Sequence, residues 1–152
     1  MKKRLKKGWL LLIILIFVFQ FMRINEVWGQ ATHKIEERQR ISALMGMAQT
    51  YQTMGEYEDA IKTYQIILDE DNKVYPRECI QAQCGIAQIY QYMGRYEEAI
   101  KTYQLVLDEY KDYPGESLSA QLGIASVYRA MGKFDEAIKI YNEILYKDEA
   151  KE

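Results

Sequence analysis

The chain has 152 residues, with 20 Lys and Arg against 22 Asp and Glu, two Cys and a single His. That length suits one domain, and the one histidine, His33, lies in a charged lead-in before the repeated units, so no His-based general base, triad or multi-histidine metal site is expected. From Gln30 onward the charge is 14 Lys and Arg against 21 Asp and Glu, a net of −7, which repels phosphate backbones and argues against nucleic acid as a partner.

The first 29 residues read as an export segment. Five positive charges in Met1–Lys7 precede an apolar run from Trp9 to Met22, broken only by Gln20. This is the layout of a secretory n-region and h-region, and the run is shorter than the ~18–20 residues of an unstrained membrane-spanning helix. Small residues follow within Val27–Ala31, where a signal peptidase would cut, although Arg23 sits directly after the run. A cleaved signal peptide, a retained signal anchor with residues 9–22 in the membrane, and an apolar core helix all stay open. Both export readings hold the basic cluster inside. They place the rest of the chain in the periplasm or on the outer face of the inner membrane, secreted or anchored. No Cys stands at the end of the run, where Arg23 follows Met22, so lipoprotein-type lipid attachment is not expected.

Residues 30–40, with Thr32–Arg40 strongly charged, form a lead-in that either extends the first helix or acts as a spacer. Beyond it, three stretches align without gaps: Met47–Tyr64, Ile86–Tyr103 and Ile124–Tyr141. Gly55, Gly94 and Gly132 recur in them at spacings of 39 and 38 residues, a period that marks a repeat architecture. Each unit predicts two helices. In the first, Leu44, Met47, Ala48 and Tyr51 share one helical face. Gly55 stands where that helix ends, because glycine takes the left-handed conformation without a Cβ penalty. Tyr57, Ala60, Ile61, Tyr64, Ile67 and Leu68 form the apolar stripe of the second helix. Ala60, Ala99 and Ala137 leave room for two backbones to cross. Asp71–Pro76 and Lys111–Gly115 break helices, and Pro76 and Pro114 suit a first helical turn.

These residues resemble the tetratricopeptide repeat family. In the second unit its pattern falls on Ala87, Tyr90, Gly94, Tyr96, Ala99, Tyr103, Val106 and Leu107, and the likeness runs from about Ile41 to Tyr146. It implies an all-α, right-handed superhelical solenoid of three helical hairpins over residues 41–147, at about 41–75, 76–113 and 114–147, after an N-terminal hydrophobic helix and before a polar tail, 148–152. The period exceeds the family's usual 34 residues, similar to extracytoplasmic bacterial members. The likeness also implies a protein-binding groove lined by the first helix of each hairpin. Its expected contacts are Gln49, Gln52, Gln81, Gln88, Gln91, Tyr92 and Arg129, with Ser42, Met45, Thr53, Cys84, Ser119, Leu122, Ser126 and Ala130 beside them. Such amides donate and accept toward a peptide backbone. The basic clamp with which some members grip a chaperone tail is not assembled, since its positions hold Met45, Gln49, Gln81, Cys84 and Gln88. No paired aromatics are expected in the groove.

The last hairpin offers a second surface. With no capping helix expected after it, Phe134, Ile138, Tyr141, Ile144 and Leu145 leave an apolar stripe partly bare, a docking face for a protein partner or a second copy. No chemistry competes with binding. Cys79 and Cys84, on one helix, lie about 7.5 Å apart in rise and about 140° apart in rotation, beyond direct disulfide reach of each other, which leaves two small partly buried residues or an intermolecular disulfide; their spacing fits neither zinc nor haem. A Walker-type loop and a dinucleotide fingerprint are absent from the sequence. Glu58/Asp59, Glu97/Glu98 and Asp135/Glu136 fall in first helical turns, where negative charge suits the helix dipole. The expectation is a non-catalytic scaffold or adaptor in the bacterial envelope, without cofactor or metal. A permanent subunit of a larger extracytoplasmic membrane or redox complex, docked through the last hairpin, is the alternative.

Overall fold

A computed structural model describes residues 2–69 and 75–146, with side chains from Ile16 onward. The basic side chains of the head, the apolar side chains before Ile16, the link Glu70–Val74 and the tail from Lys147 lie outside the described residues. Within them the chain is helical, without strands: α1 (Lys2–Met54), α2 (Tyr57–Asp69), α3 (Pro76–Tyr92), α4 (Tyr96–Glu109), α5 (Pro114–Ala130) and α6 (Phe134–Leu145). It divides into two units, Met1–Arg40 and Ile41–Glu152. The first unit is helical through both Val27–Ala31 and the charged lead-in. Among the described residues no helix is long and apolar enough to cross a membrane.

The second unit is a solenoid of the tetratricopeptide type. Its hairpins are Ile41–Met54 with α2, α3 with α4, and α5 with α6. Consecutive helices pack together from α2 to α6, and α3 also touches α5, as expected when the first helices of neighbouring hairpins line one side. Each hairpin turns on glycine. Gly55, Gly94 and Gly132 have φ of 80°, 73° and 74°, a region that costs a side chain about 1–2 kcal/mol. Around Gly94, its own N–H donates to the Gln91 carbonyl at 3.0 Å and the Arg95 N–H donates to the Tyr90 carbonyl at 2.8 Å. This is the Schellman pattern that satisfies the last carbonyls of a helix. The same pair of bonds recurs at Gly55–Glu56 and Gly132–Lys133. Pro76 and Pro114 open α3 and α5, and acidic pairs occupy the first turns of α2, α4 and α6.

Two apolar clusters hold the stack. Ile41, Ala48, Ala60, Tyr64, Ile67, Tyr75, Ala82, Ile86 and Ile89 join the first hairpin to α3. Cys79, Ile80, Ala87, Ala99, Tyr103, Val106, Ala120, Ile124 and Val127 join the second hairpin to α5. At the centre of each joint a tyrosine lies on a glycine. A Cβ on Gly85 would sit 2.5 Å from Cζ of Tyr64, and one on Gly123 would overlap the Tyr103 ring in the same way. Glycine therefore lets the helix backbone rest directly on the tip of a tyrosine ring.

Candidate functional site: the amide-lined inner wall

Among the described residues the inner wall is built from α1, α3 and α5, and three of its recesses share residues. The first, of about 390 Å³, is lined by Gln49, Gln52, Thr53, Tyr57 and Tyr92. A second, about 330 Å³, lies between Met45, Gln49, Gln52, Tyr64, Gln81, Cys84, Gly85 and Gln88. The third, about 480 Å³, runs along Cys84, Gln88, Gln91, Tyr92, Tyr103, Ser119, Leu122, Gly123 and Ser126. Gln49 and Gln52 belong to the first two, Cys84 and Gln88 to the last two, and Tyr92 to the first and third, so the recesses form one groove. No charged side chain lines any of them.

The structure brings Gln49, Gln52, Gln81, Gln88, Gln91 and Tyr92 together on this wall. Gln49, Gln81 and Gln88 are exposed and Gln52 is half-buried. Gln91 is spent differently. Its amide nitrogen donates to Ser126 Oγ at 3.2 Å and approaches the Ser126 carbonyl at 3.5 Å, tying α3 to α5. Arg129, in the last turn of α5, is exposed and lines none of the three recesses. Ser42 and Ala130 stand outside them as well.

Sequence reasoning missed two features. Tyr57, read there as part of the second helix's apolar stripe, stacks on Tyr92 with ring centroids 6.4 Å apart and planes 21° apart. The expectation of a groove without paired aromatics is thereby corrected. The helix register shows each tyrosine alone, and only the fold brings the start of α2 beside the end of α3. Tyr92 remains 63% exposed, an aromatic face turned to solvent beside the amides. Tyr64 and Tyr103, in turn, present ring tips at the groove floor. Burial raises the pKa of both above the ordinary tyrosine value.

The cysteines are free thiols. Cys79 is buried and its thiol lies 3.8 Å from the Ile67 carbonyl. Cys84 lines the groove, where burial pushes its pKa to about 11. A thiol held that far above neutrality is a poor nucleophile and metal ligand. Among the described residues no group of His, Cys, Asp and Glu is placed to hold a metal ion. Near the turns, Arg95 reaches the Glu98 carboxylate at 2.9 Å and lies 4.6 Å from the Tyr90 ring centroid. Its hydrogen bond draws the exposed Glu98 carboxyl below its usual pKa, and both contacts brace the α3–α4 turn.

At the far end, Phe134, Ile138 and Leu145 are exposed, Phe134 by 63% and Leu145 by 69%. Tyr141 and Ile144 are half-buried. Ala137 is the one buried residue of α6.

A family model, the tetratricopeptide repeat, matches residues 39–112 and again 77–145. The chain belongs to the tetratricopeptide repeat family, whose repeats generally mediate protein–protein interaction and are typically non-catalytic. Among solved structures it is similar to the TPR domain of Arabidopsis FLU, at 26% identity and a TM-score of 0.60. That likeness covers 75% of this chain and 98% of the FLU domain. A comparison with curated proteins found no match.

Proposed function

We propose that the chain is a non-catalytic adaptor of the bacterial envelope that holds an extended or helical segment of a protein partner along its inner wall. The observation that carries this reading is the continuous groove, uncharged and edged by three exposed glutamines and the Tyr57–Tyr92 stack. Amides match peptide N–H and C=O groups without choosing a charge. An exposed, pre-stacked tyrosine adds contact area at small entropic cost. The net charge of −7 from Gln30 onward leaves nucleic acid a poor occupant. The basic head and the apolar run Trp9–Met22 support delivery to the periplasm or the outer face of the inner membrane, with membrane contact through residues 9–22 if that segment is retained.

The test is recovery of the full chain from its native membranes in mild detergent, as wild type and as Gln88→Lys and Tyr92→Ala. Both side chains are exposed, so neither change unfolds the domain. The reading expects a protein co-recovered with wild type and reduced about tenfold by either variant, given about 1–2 kcal/mol for a groove anchor. Partners recovered equally with all three chains would place binding elsewhere. A fixed subunit docked through Phe134, Ile138 and Leu145 is the competing reading, favoured by their exposure. It would give equal recovery in constant ratio. Digestion of the domain by protease added outside the intact inner membrane tests the location.

A further inference from the structure

The joint between hairpins is made twice, and among the described residues both halves of a third joint stand open, one on Ile41–Met54 and one on α6. Counting by the 39- and 38-residue spacings, Tyr64 and Tyr103 continue to Tyr141, while Gly85 and Gly123 step back to Gly46. Tyr64 lies on Gly85 and Tyr103 on Gly123, yet a Cβ on Gly46 would meet nothing within 4 Å.

The neighbouring positions follow the same rule. Ala82 and Ala120 are buried by the preceding hairpin, as are Ile86 and Ile124, and Ile89 and Val127. Their counterparts Ala43, Met47 and Thr50 are exposed, Met47 by 48%. At the other end, Ile67 and Val106 are fully buried by the following hairpin, whereas Ile144 is only half-buried and Leu145 is bare. Ile41–Met54 carries no charge, so nothing on that face repels an apolar stripe.

We propose that copies of this chain join head to tail, with α6 of one copy covering Ile41–Met54 of the next and Tyr141 lying on Gly46 of the second copy. The occupant is a second copy because the two end faces are the separated halves of a joint whose fit is already realised twice within one molecule. A heterologous contact of this kind uses different surfaces on the two partners, and it extends into open arrays unless geometry closes it into a ring. Gly46, Met47 and Ile138 line none of the three recesses, so this association and the peptide-binding reading are tested separately.

The test is sedimentation equilibrium of the full 17.9 kDa chain in density-matched nonionic detergent. Wild type is compared with Gly46→Ala, which fills the head cradle, and Ile138→Lys, which charges the tail stripe. Both positions are exposed, and Met47→Lys serves as a second head variant. Wild type is expected to grow in mass with concentration. Each variant alone should associate about tenfold or more weakly, the effect of forcing a Cβ into a packed aromatic contact or burying a lone charge. An equimolar mixture of Gly46→Ala and Ile138→Lys should recover a species of two chains and no larger one, because each supplies the end the other lacks. The proposal is overturned if wild type stays a single chain at every concentration. It is equally overturned if the variants associate as wild type does, or if the mixture behaves as the sum of its parts.

Discussion

Gly85→Ala and Gly46→Ala make the same substitution at equivalent helix positions, and the structure gives them opposite signs. At Gly85 the new Cβ lies 2.5 Å from Cζ and 2.8 Å from the hydroxyl oxygen of Tyr64. That ring is buried, but its tip edges the groove, so it yields toward the recess instead of being compressed on all sides. Overpacking of this size costs about 2 kcal/mol. Replacing a helix-interior glycine by alanine returns about 1 kcal/mol, leaving a net loss of about 1 kcal/mol. At Gly46 nothing is met, and only the helix gain of about 1 kcal/mol remains. The two variants should therefore differ by about 2 kcal/mol, or roughly 1 M in urea midpoint at a slope of about 2 kcal/mol per M. The assay is urea unfolding followed by far-UV circular dichroism on the full chain in detergent. It is run dilute enough that self-association contributes nothing. A Gly85→Ala midpoint at or above wild type, or coincident midpoints for the two variants, would refute the tyrosine-on-glycine account of the joint.

Gln83 and Cys84 supply two further predictions. Gln83 is 9% exposed and its Oε1 has no hydrogen-bond partner among the described residues, while the matching position in the first hairpin is Leu44. Gln83→Leu should stabilise the domain by about 1–2 kcal/mol by removing an unsatisfied buried carbonyl. A destabilised variant in the same urea assay would show that the amide is paired. The Cys84 thiol is pushed by burial from 9.0 to about 11, so the folded chain keeps a proton that the unfolded chain gives up. Its contribution to stability is complete below pH 9 and is lost as pH rises toward 11, with the buried Tyr64, Tyr103 and Tyr110 adding the same sign. Cys84→Ser should flatten that decline in a series of midpoints against pH. A slope unchanged by the substitution would sink the assignment.

The hairpins were legible because each part of their signal is local. Gly55, Gly94 and Gly132 punctuate a fixed period, and a positive φ is a demand that one residue type answers cheaply. The groove was legible through the family resemblance, which implies that Gln49, Gln81 and Gln88 turn inward on the first helices. Contacts between elements were less so. Tyr57 meets Tyr92 only because the start of α2 lies against the end of α3, and Gln91 is drawn off to Ser126, 35 residues away. The cradle glycines carry a sequence signal. Gly46, Gly85 and Gly123 keep the repeat spacing but stand one residue ahead of the aligned stretches beginning at Met47, Ile86 and Ile124. A glycine that accepts a ring looks, in one dimension, like any glycine in a helix.

Whether the inner wall holds a protein is decided by a photo-crosslinking residue in the full chain in its native membranes, placed at Gln88 in the groove or at Lys101, an exposed α4 position outside the three recesses. A discrete protein adduct is expected from Gln88, absent from Lys101 and lost on adding Tyr92→Ala. Equal adducts from both positions, or one from Lys101 alone, would contradict the groove reading.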